Sequence, residues 1–156
     1  MSSQTKLKIA FLAAIALLIA FFYPQSPETT GLSGAAADCR ITHVIDGDTV
    51  DLKCQGTQTE RIRILGYDTP ETYYADCPAE KRLGDQATEY LRALAANTPV
   101  TKVERTRKDQ YDRTLARISL GGQDLADIMV AENLAVRYNG GQRINWCNRL
   151  ANAGNN

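Results

Sequence analysis

The sequence predicts a small α+β domain, in which a β-barrel of five strands packs against two to three helices. Three observations predict this class. Short β-rich runs come first, a helical pattern divides them, and 156 residues suffice for one domain rather than two. A composition of 44% hydrophobic and 23% charged residues is typical of a globular protein, which excludes a disordered or collagen-like chain.

The first 37 residues form a separate segment ahead of this domain. Two lysines precede an uncharged apolar run from Ile9 to Tyr23, which is typical of an export signal and short for a bilayer core of about 30 Å. A possible A-x-A cleavage site ends at Ala37, but residues 24–37 also resemble a flexible tether. A cleaved signal peptide and a short membrane anchor therefore both stay open. In either case, residues 38–156 should be extracytoplasmic, whether periplasmic, secreted or anchored facing outward.

Both alternatives place residues 38–156 in an oxidising compartment, where cysteines form disulfides. The four cysteines contain no C-x-x-C pair, so a zinc site is poorly supported and two disulfides are favoured. Cys39 and Cys54 flank what is predicted to be a single hairpin, so we pair them and leave Cys77 with Cys147. The second bridge would close a loop of about 70 residues and tie down the C-terminus.

Three strands open the predicted domain. Residues 41–45 and 49–53 are β-rich runs separated by the turn signal D-G-D, which predicts a hairpin. Residues 61–65 alternate, so that Ile62 and Ile64 share one face and Arg63 points away from the core. His43 is the single histidine and lies mid-strand, where we interpret it as structural or exposed.

A helix separates these strands from the next two. Apolar residues recur at helical spacing from Leu83 to Leu94, and Asn97 with Pro99 ends the helix. Residues 100–105 and 114–120 predict two more strands.

The C-terminal part is predicted to be less regular. Residues 125–129 predict a short helix, residues 142–152 are weakly helical at best, and Trp146 is interpreted as core filling. Three strands, a helix, two strands and a helix in this order predict a small five-stranded barrel of the oligonucleotide-binding (OB-fold) type.

Two acidic clusters lie at predicted strand ends. Asp46 and Asp48 lie at the hairpin tip, and Asp68 and Glu71 follow the third strand. Either cluster alone is more often an ordinary turn or loop. Carboxylates and carbonyls are hard oxygen ligands, so converging clusters would suit Ca²⁺ or Mg²⁺. An EF-hand is excluded, because a loop counted from Asp46 lacks the required glycine and bidentate glutamate.

Two arginines near the acidic clusters indicate which chemistry the clusters could perform. Arg63 precedes Asp68 closely in sequence, and Arg113 begins another predicted strand. Either arginine alone is more often a surface ion-pair partner. Two guanidinium groups near a hard metal nevertheless match phosphoryl chemistry, in which they stabilise charge on phosphorus while a carboxylate acts on water.

Three separated motifs together resemble the staphylococcal nuclease (thermonuclease) family. They are VIDGDTV at residues 44–50, Arg63 followed by DTPE at residues 68–71, and DQYDR at residues 109–113. The likeness runs from about Ile41 to Tyr138. It implies an OB-fold phosphodiesterase, an endonuclease that depends on Ca²⁺, takes DNA and RNA as substrates and leaves 3′-phosphate ends. No organic cofactor is expected, and a monomer is the default expectation.

The resemblance assigns a metal site by position. Asp48 and Asp68 resemble the carboxylate ligands of the family's calcium ion, and the carbonyl of Thr69 resembles a third ligand. Asp46 resembles a neighbouring acid that shapes the site without binding the metal directly.

The resemblance also assigns the catalytic and substrate-binding residues. Glu71 matches the residue that acts on the attacking water, and Arg63 and Arg113 match the pair that holds the scissile phosphate. Tyr111 and Tyr138 resemble tyrosines that contact the bound nucleotide.

A non-catalytic, exported OB-fold module that only binds nucleic acid is the main alternative. The retained acids argue against it, because they repel phosphate unless a cation lies between. The net charge of zero excludes only indiscriminate coating of nucleic acid. Residues 38–80 hold nine acids and four bases, net −5, whereas residues 81–156 hold twelve bases and eight acids, net +4. We therefore expect weak, salt-sensitive binding that depends on calcium.

Overall fold

The computed structural model describes residues 38–153, which form a curled β-sheet with three helices. The strands are β1 (Cys39–Val44), β2 (Thr49–Cys54), β3 (Glu60–Ile64), β4 (Gly66–Asp68), β5 (Val100–Lys108), β6 (Thr114–Leu120), β7 (Gln123–Asp124) and β8 (Val136–Tyr138). The helices are α1 (Pro78–Asn97), α2 (Leu125–Ala131) and α3 (Trp146–Ala153). None of the described helices combines the length and apolar character needed to cross a membrane. The predicted export segment lies outside the described residues.

The main sheet has the strand order β1-β2-β3-β6-β5, and β7 pairs with β6. Its neighbours are antiparallel except for β3 and β6, which run parallel with Ile62 opposite Thr114 and Ile64 opposite Ala116. The sheet curls until Cα atoms of its edge strands β1 and β5 come within 8 Å of each other. The predicted α+β, OB-like fold is therefore confirmed.

The concave face of the curled sheet forms the core. Ile62 and Ile64 of β3 are almost fully buried, and Arg63 between them points away from them, as the alternation predicts. The helices add apolar side chains to the same cluster, including Leu91 of α1 and Met129 of α2. Each such side chain contributes about 1.5–3 kcal/mol when it is removed from water, so the core fixes the strand register.

Helix α1 begins earlier than the periodicity predicts. Pro78 occupies the first turn, where its missing N–H has no helical partner to lose. Glu80 follows, and its buried carboxylate accepts hydrogen bonds from the backbone N–H groups of Asp76, at 2.9 Å, and Glu71, at 3.3 Å. The helix start and the loop after β4 are thereby held together.

Three short elements were not predicted. β4 and β8 form a separate antiparallel ribbon, with Asp68 opposite Val136, and β7 is a two-residue addition to the main sheet. α3 is a helix, so the expectation that residues 142–152 are weakly helical at best was wrong for most of that segment. A disulfide from Cys147 to Cys77, the residue before α1, ties this helix to the rest of the fold, and a constraint between residues 70 apart is not visible in a local sequence pattern.

Both predicted disulfides are present. Cys39–Cys54 joins the ends of the paired strands β1 and β2. Cys77–Cys147 joins the residue before α1 to α3, and its Cα atoms lie 6.0 Å apart. His43 is exposed, as interpreted.

Candidate active site

Asp48 lies directly before β2 and brings the hairpin tip to the loop after β4. Its carboxylate accepts hydrogen bonds from the hydroxyl groups of Thr49 and Thr69, both at 3.1 Å, and its backbone N–H donates to Asp46 at 3.0 Å. Gly47 makes this approach possible, because a Cβ there would lie 2.8 Å from the Thr69 side chain. The two acidic clusters therefore converge, as the sequence predicts.

Arg63 lies between the two clusters. Its guanidinium forms ion pairs with the carboxylates of both Asp48 and Asp68, and the Nη2–Oδ1 distance to Asp68 is 3.3 Å. The Arg63 side chain is only 12% exposed, and a buried carboxylate without a cation would be costly. Nη1 of Arg63 lies against Asp48 without hydrogen-bond alignment, and no other buried side-chain nitrogen or oxygen of residues 38–153 lacks a hydrogen-bond partner.

A third arginine joins the cluster, and the sequence did not point to it. Arg143 lies between β8 and α3, and its Nε is 2.6 Å from Oδ1 of Asp68. Its Nη1 pairs with Glu71, and its Nη2 donates a hydrogen bond to the carbonyl of Thr69 at 3.1 Å. One side chain therefore contacts two of the three predicted metal ligands and the predicted water-activating residue.

Trp146 is buried, as its interpretation as core filling predicts, and it also contacts the site. Its ring is buried, and its Nε1–H donates to Oδ2 of Asp68 at 3.1 Å. The ring is absent from the main apolar cluster. Neither Trp146 nor Arg143 lies in a recognisable sequence motif. The one signal in the sequence was the predicted Cys77–Cys147 bridge, which places residues near Cys147 close to the loop after Glu71.

Two acids of this cluster, Asp46 and Asp68, have raised pKa values. Burial raises the pKa of Asp46 to about 6, with a further contribution from the charge of Asp48. Burial likewise raises the pKa of Asp68, although the Arg143 charge and the Trp146 hydrogen bond oppose the shift. Perturbed acids gathered at one place are typical of functional sites. With Asp46, Asp48, Asp68 and Glu71 all ionised, four acids face two arginines, Arg63 and Arg143, and the formal charge of the cluster is −2.

A groove of about 810 Å³ runs past the cluster and is strongly basic. Among its lining residues, Asp109 is the single acid, and six are basic: Arg63, Arg107, Lys108, Arg113, Arg117 and Arg143. Tyr111 and Tyr138 line the same groove, and Tyr111 is 70% exposed. Arg113 enters the groove beside Arg63 because the parallel pairing places Thr114, the next residue, opposite Ile62.

The residues predicted to hold calcium fit a hard divalent cation. Oδ1 of Asp48 accepts one hydrogen bond, from Thr49, and Oδ2 of Asp68 accepts one, from Trp146. An oxygen of this type has two acceptor positions, so each can still bind a cation. Among the described residues, the one group of three His, Cys, Asp or Glu side chains with ligand atoms within 4.8 Å of one another is Cys77, Glu80 and Cys147, and it does not fit a metal, because the two sulfurs are bonded to each other.

Comparisons with known proteins show the family. Residues 61–152 match the family described as staphylococcal nuclease homologue. A thermonuclease of Staphylococcus hyicus is 34% identical over 134 residues, which cover 84% of this chain and 78% of that protein. A thermonuclease of Staphylococcus intermedius is 33% identical over 129 residues, covering 78% and 74% of the two chains. Endonuclease YhcR of Bacillus subtilis (strain 168) is 36% identical over 84 residues, covering 50% of this chain and 7% of that protein. The chain belongs to the staphylococcal nuclease family.

Proposed function

We propose that this protein is an exported, Ca²⁺-dependent nuclease that cuts DNA and RNA and leaves 3′-phosphate ends. Its family and its named relatives identify it as a nuclease, a hydrolase of phosphodiester bonds. The ion, the products and the export are the proposed part. The observation that carries the proposal is the convergence of Asp48, Arg63, Asp68 and Glu71 beside a basic groove.

The groove supports substrate binding in an extended form. Its arginines can pair with successive phosphates, and the exposed ring of Tyr111 can stack on a base. The guanidinium of Arg113 lies 5.4 Å from the centre of that ring, so a stacked nucleotide would place its phosphate near Arg113. Arg63 then contacts the same phosphate from the side of the acids.

Residues of this chain supply most of the chemistry. Glu71 orients a water molecule, accepts its proton and directs the oxygen in line at phosphorus. A new P–O bond forms while the bond from phosphorus to the 5′ oxygen breaks, which leaves phosphate on the 3′ end. Arg63 and Arg113 stabilise the charge that develops on the phosphate oxygens. Ca²⁺ held by Asp48, Asp68 and the Thr69 carbonyl would neutralise part of that charge.

A cleavage assay tests the calcium requirement. Purified protein is incubated with single-stranded DNA in calcium chloride and, separately, in excess chelator. Cleavage should occur in calcium alone, and equal cleavage in both conditions would refute the calcium requirement. Binding of DNA without cleavage in calcium would instead favour the non-catalytic module. Phosphatase treatment of the products, followed by mass measurement, shows whether phosphate is on the 3′ ends.

Export needs a separate test, because residues 1–37 carry that part of the proposal. A fusion of these residues to an alkaline phosphatase that is active only outside the cytoplasm should be active in a bacterial host. Inactivity of a fusion that is expressed would refute export. The N-terminal sequence of the full-length protein after expression decides between the two forms: a start near Asp38 identifies a signal peptide, and an intact Met1 identifies an anchor.

A further inference from the structure

We propose that Arg143 and Trp146 are positioning residues of the active site. They belong to a segment that we name the C-terminal strap, residues 139–147, which crosses from β8 to α3. From this strap they hold Asp68 and Glu71 in the geometry that catalysis needs. The inference rests on the proposed function, because the roles of Asp68 and Glu71 come from it.

The guanidinium of Arg143 binds three groups of one short loop. Nε pairs with Asp68, Nη1 with Glu71, and Nη2 with the carbonyl of Thr69. All three nitrogens are engaged, so the planar fork fixes these groups relative to one another. A lysine has a single nitrogen at its tip and cannot reproduce that spacing.

Trp146 fixes the other side of the Asp68 carboxylate. Its indole N–H reaches Oδ2, while Arg63 and Arg143 reach Oδ1. Both oxygens are therefore held, and the carboxylate cannot rotate without losing a hydrogen bond in a buried place. Partners of this kind, one shell beyond a metal, typically change metal affinity or activity about 10–100-fold when they are removed.

The Cys77–Cys147 disulfide explains how Arg143 and Trp146, which lie late in the chain, are held against the loop of residues 68–71. Cys147 follows Trp146 directly and is bonded to Cys77, the residue before α1. Glu80 at the start of α1 accepts a hydrogen bond from the backbone N–H of Glu71 at 3.3 Å. The loop of residues 68–71 is thus held by the start of α1 on one side and by the C-terminal strap on the other. The disulfide links the strap to the start of α1.

Two other roles for Arg143 predict different kinetics. Its side chain is 40% exposed and lines the groove, so a direct contact with the substrate is one alternative. Removing such a contact would raise KM and leave kcat unchanged. The other alternative is that the Arg143 guanidinium competes with calcium for Asp68 and the Thr69 carbonyl. Removal of the guanidinium would then tighten calcium binding and speed cleavage.

Kinetics of matched variants therefore test the proposal. Arg143→Gln and Trp146→Phe should each lower kcat about 10–100-fold at saturating calcium, with a much smaller change in KM. Arg143→Lys should recover only part of the loss. Arg137→Gln, which removes an exposed arginine of β8 paired with Asp127, is the control and should behave like the parent. Either of the two alternative patterns in Arg143→Gln would overturn the proposal, and urea unfolding shows whether each variant is folded.

A second readout does not depend on cleavage. Trp146 is the single tryptophan of the chain, so its indole N–H gives one resonance in ¹⁵N-labelled protein. In calcium-free buffer that proton should exchange slowly with solvent in the parent and at least tenfold faster in Asp68→Asn, because a neutral amide is a weaker acceptor than a carboxylate. Asp51→Asn, which removes a carboxylate paired with Arg61, is the control and should leave the exchange unchanged.

The two readouts distinguish the failures. Equal indole exchange in the parent and in Asp68→Asn would overturn the positioning role of Trp146. A parent that shows the protected resonance but does not cleave DNA in calcium would refute the proposed function and still support the contact. Addition of calcium chloride should shift the resonance in the parent and not in Asp68→Asn, because the ion would bind the carboxylate that the indole contacts.

Discussion

Arg113 is held in place before any substrate arrives. Its Nε donates to the Asp109 carboxylate at 2.8 Å, and its backbone N–H donates to the same side chain at 3.0 Å. A cation fixed in this way needs little reorganisation when charge develops on a phosphate. Its position in the groove therefore matters more than its charge alone.

Replacing Arg113 should accordingly slow catalysis strongly. Arg113→Ala should lower kcat by about 10²–10³, or roughly 3–4 kcal/mol of transition-state stabilisation. Steady-state cleavage of single-stranded DNA in calcium measures this. Arg61→Ala, at an exposed arginine of β3 paired with Asp51, should change kcat little. Wild-type turnover in Arg113→Ala would contradict the catalytic assignment.

The same contact gives a pH dependence of stability. Burial opposes the shift, but hydrogen bonds from Arg113 and from the backbone lower the pKa of Asp109 below its ordinary value. A carboxyl group with a lowered folded-state pKa stabilises the fold above its unfolded pKa of about 3.9, and this stability is lost as the pH falls through the folded-state pKa. Asp109→Asn should therefore destabilise the calcium-free protein near neutral pH and much less in acid.

Urea unfolding at a series of pH values measures the difference between Asp109→Asn and the parent. Asp112→Asn is the control, because that carboxylate is 83% exposed and its loss should change stability little. A difference for Asp109→Asn that is the same in acid and at neutral pH would contradict the assignment of the pKa shift.

Single residues also show what the sequence can and cannot predict about the site. Asp48, Arg63, Asp68 and Glu71 were predicted because they lie within short motifs, and the structure brings them together. Arg143 was missed because it lies in a loop without a motif and reaches its partners only through the tertiary fold. Their catalytic and metal-binding roles stay predictions until variants are measured.

Among the elements, α1 packs directly against the backbone of the loop that follows β4. A Cβ on Gly84 would be 2.6 Å from the carbonyl oxygen of Glu71 and 2.8 Å from that of Pro70. Backbone atoms cannot swing aside as a flexible side chain can. Alanine in a helix is ordinarily about 1 kcal/mol more favourable than glycine, but here the contact reverses the sign.

Gly84→Ala should destabilise the protein by about 1–3 kcal/mol and lower cleavage as well, because Glu71 must move. Urea unfolding and cleavage of single-stranded DNA measure the two effects. Gln86→Ala, on the exposed face of the same helix, is the matched control and should stay within about 0.5 kcal/mol of the parent. A stabilised Gly84→Ala would show that the helix does not constrain the loop.

The elements differ in how well the sequence predicts them, for physical reasons. β3 was predicted because alternating burial leaves a clear pattern over its five residues. β4 and β8 have three residues each, too few for any period to show, and α3 depends on a distant disulfide. Local patterns therefore predicted the barrel, and tertiary contacts added the ribbon and the last helix.

For the whole molecule, the Cys77–Cys147 bridge should be a main source of stability. It joins residues 70 apart, and closing a loop of that length in the unfolded chain contributes about 3–5 kcal/mol in the chain-entropy account. A double variant, Cys77→Ser with Cys147→Ser, should lose about that much in urea unfolding. Its kcat should also fall, because the C-terminal strap is released.

The Cys39–Cys54 bridge provides the comparison. It joins residues only 15 apart, so its removal should cost less free energy of unfolding than removal of Cys77–Cys147. It also lies at the end of β1 and β2 opposite the hairpin tip, so kcat of Cys39→Ser with Cys54→Ser should stay near that of the parent. This account would be contradicted if Cys39→Ser with Cys54→Ser lost more stability and more kcat than Cys77→Ser with Cys147→Ser.

The parallel pairing of β3 with β6 determines when the active site can form during synthesis. Arg63 and Arg113 come together only after the chain between them has left the ribosome and folded back, because parallel neighbours need a long crossover. Arg143 and Cys147 follow later still. If the chain crosses the membrane unfolded, as the proposed export implies, a partly secreted chain has an incomplete site, and an active form would arise only outside the cytoplasm.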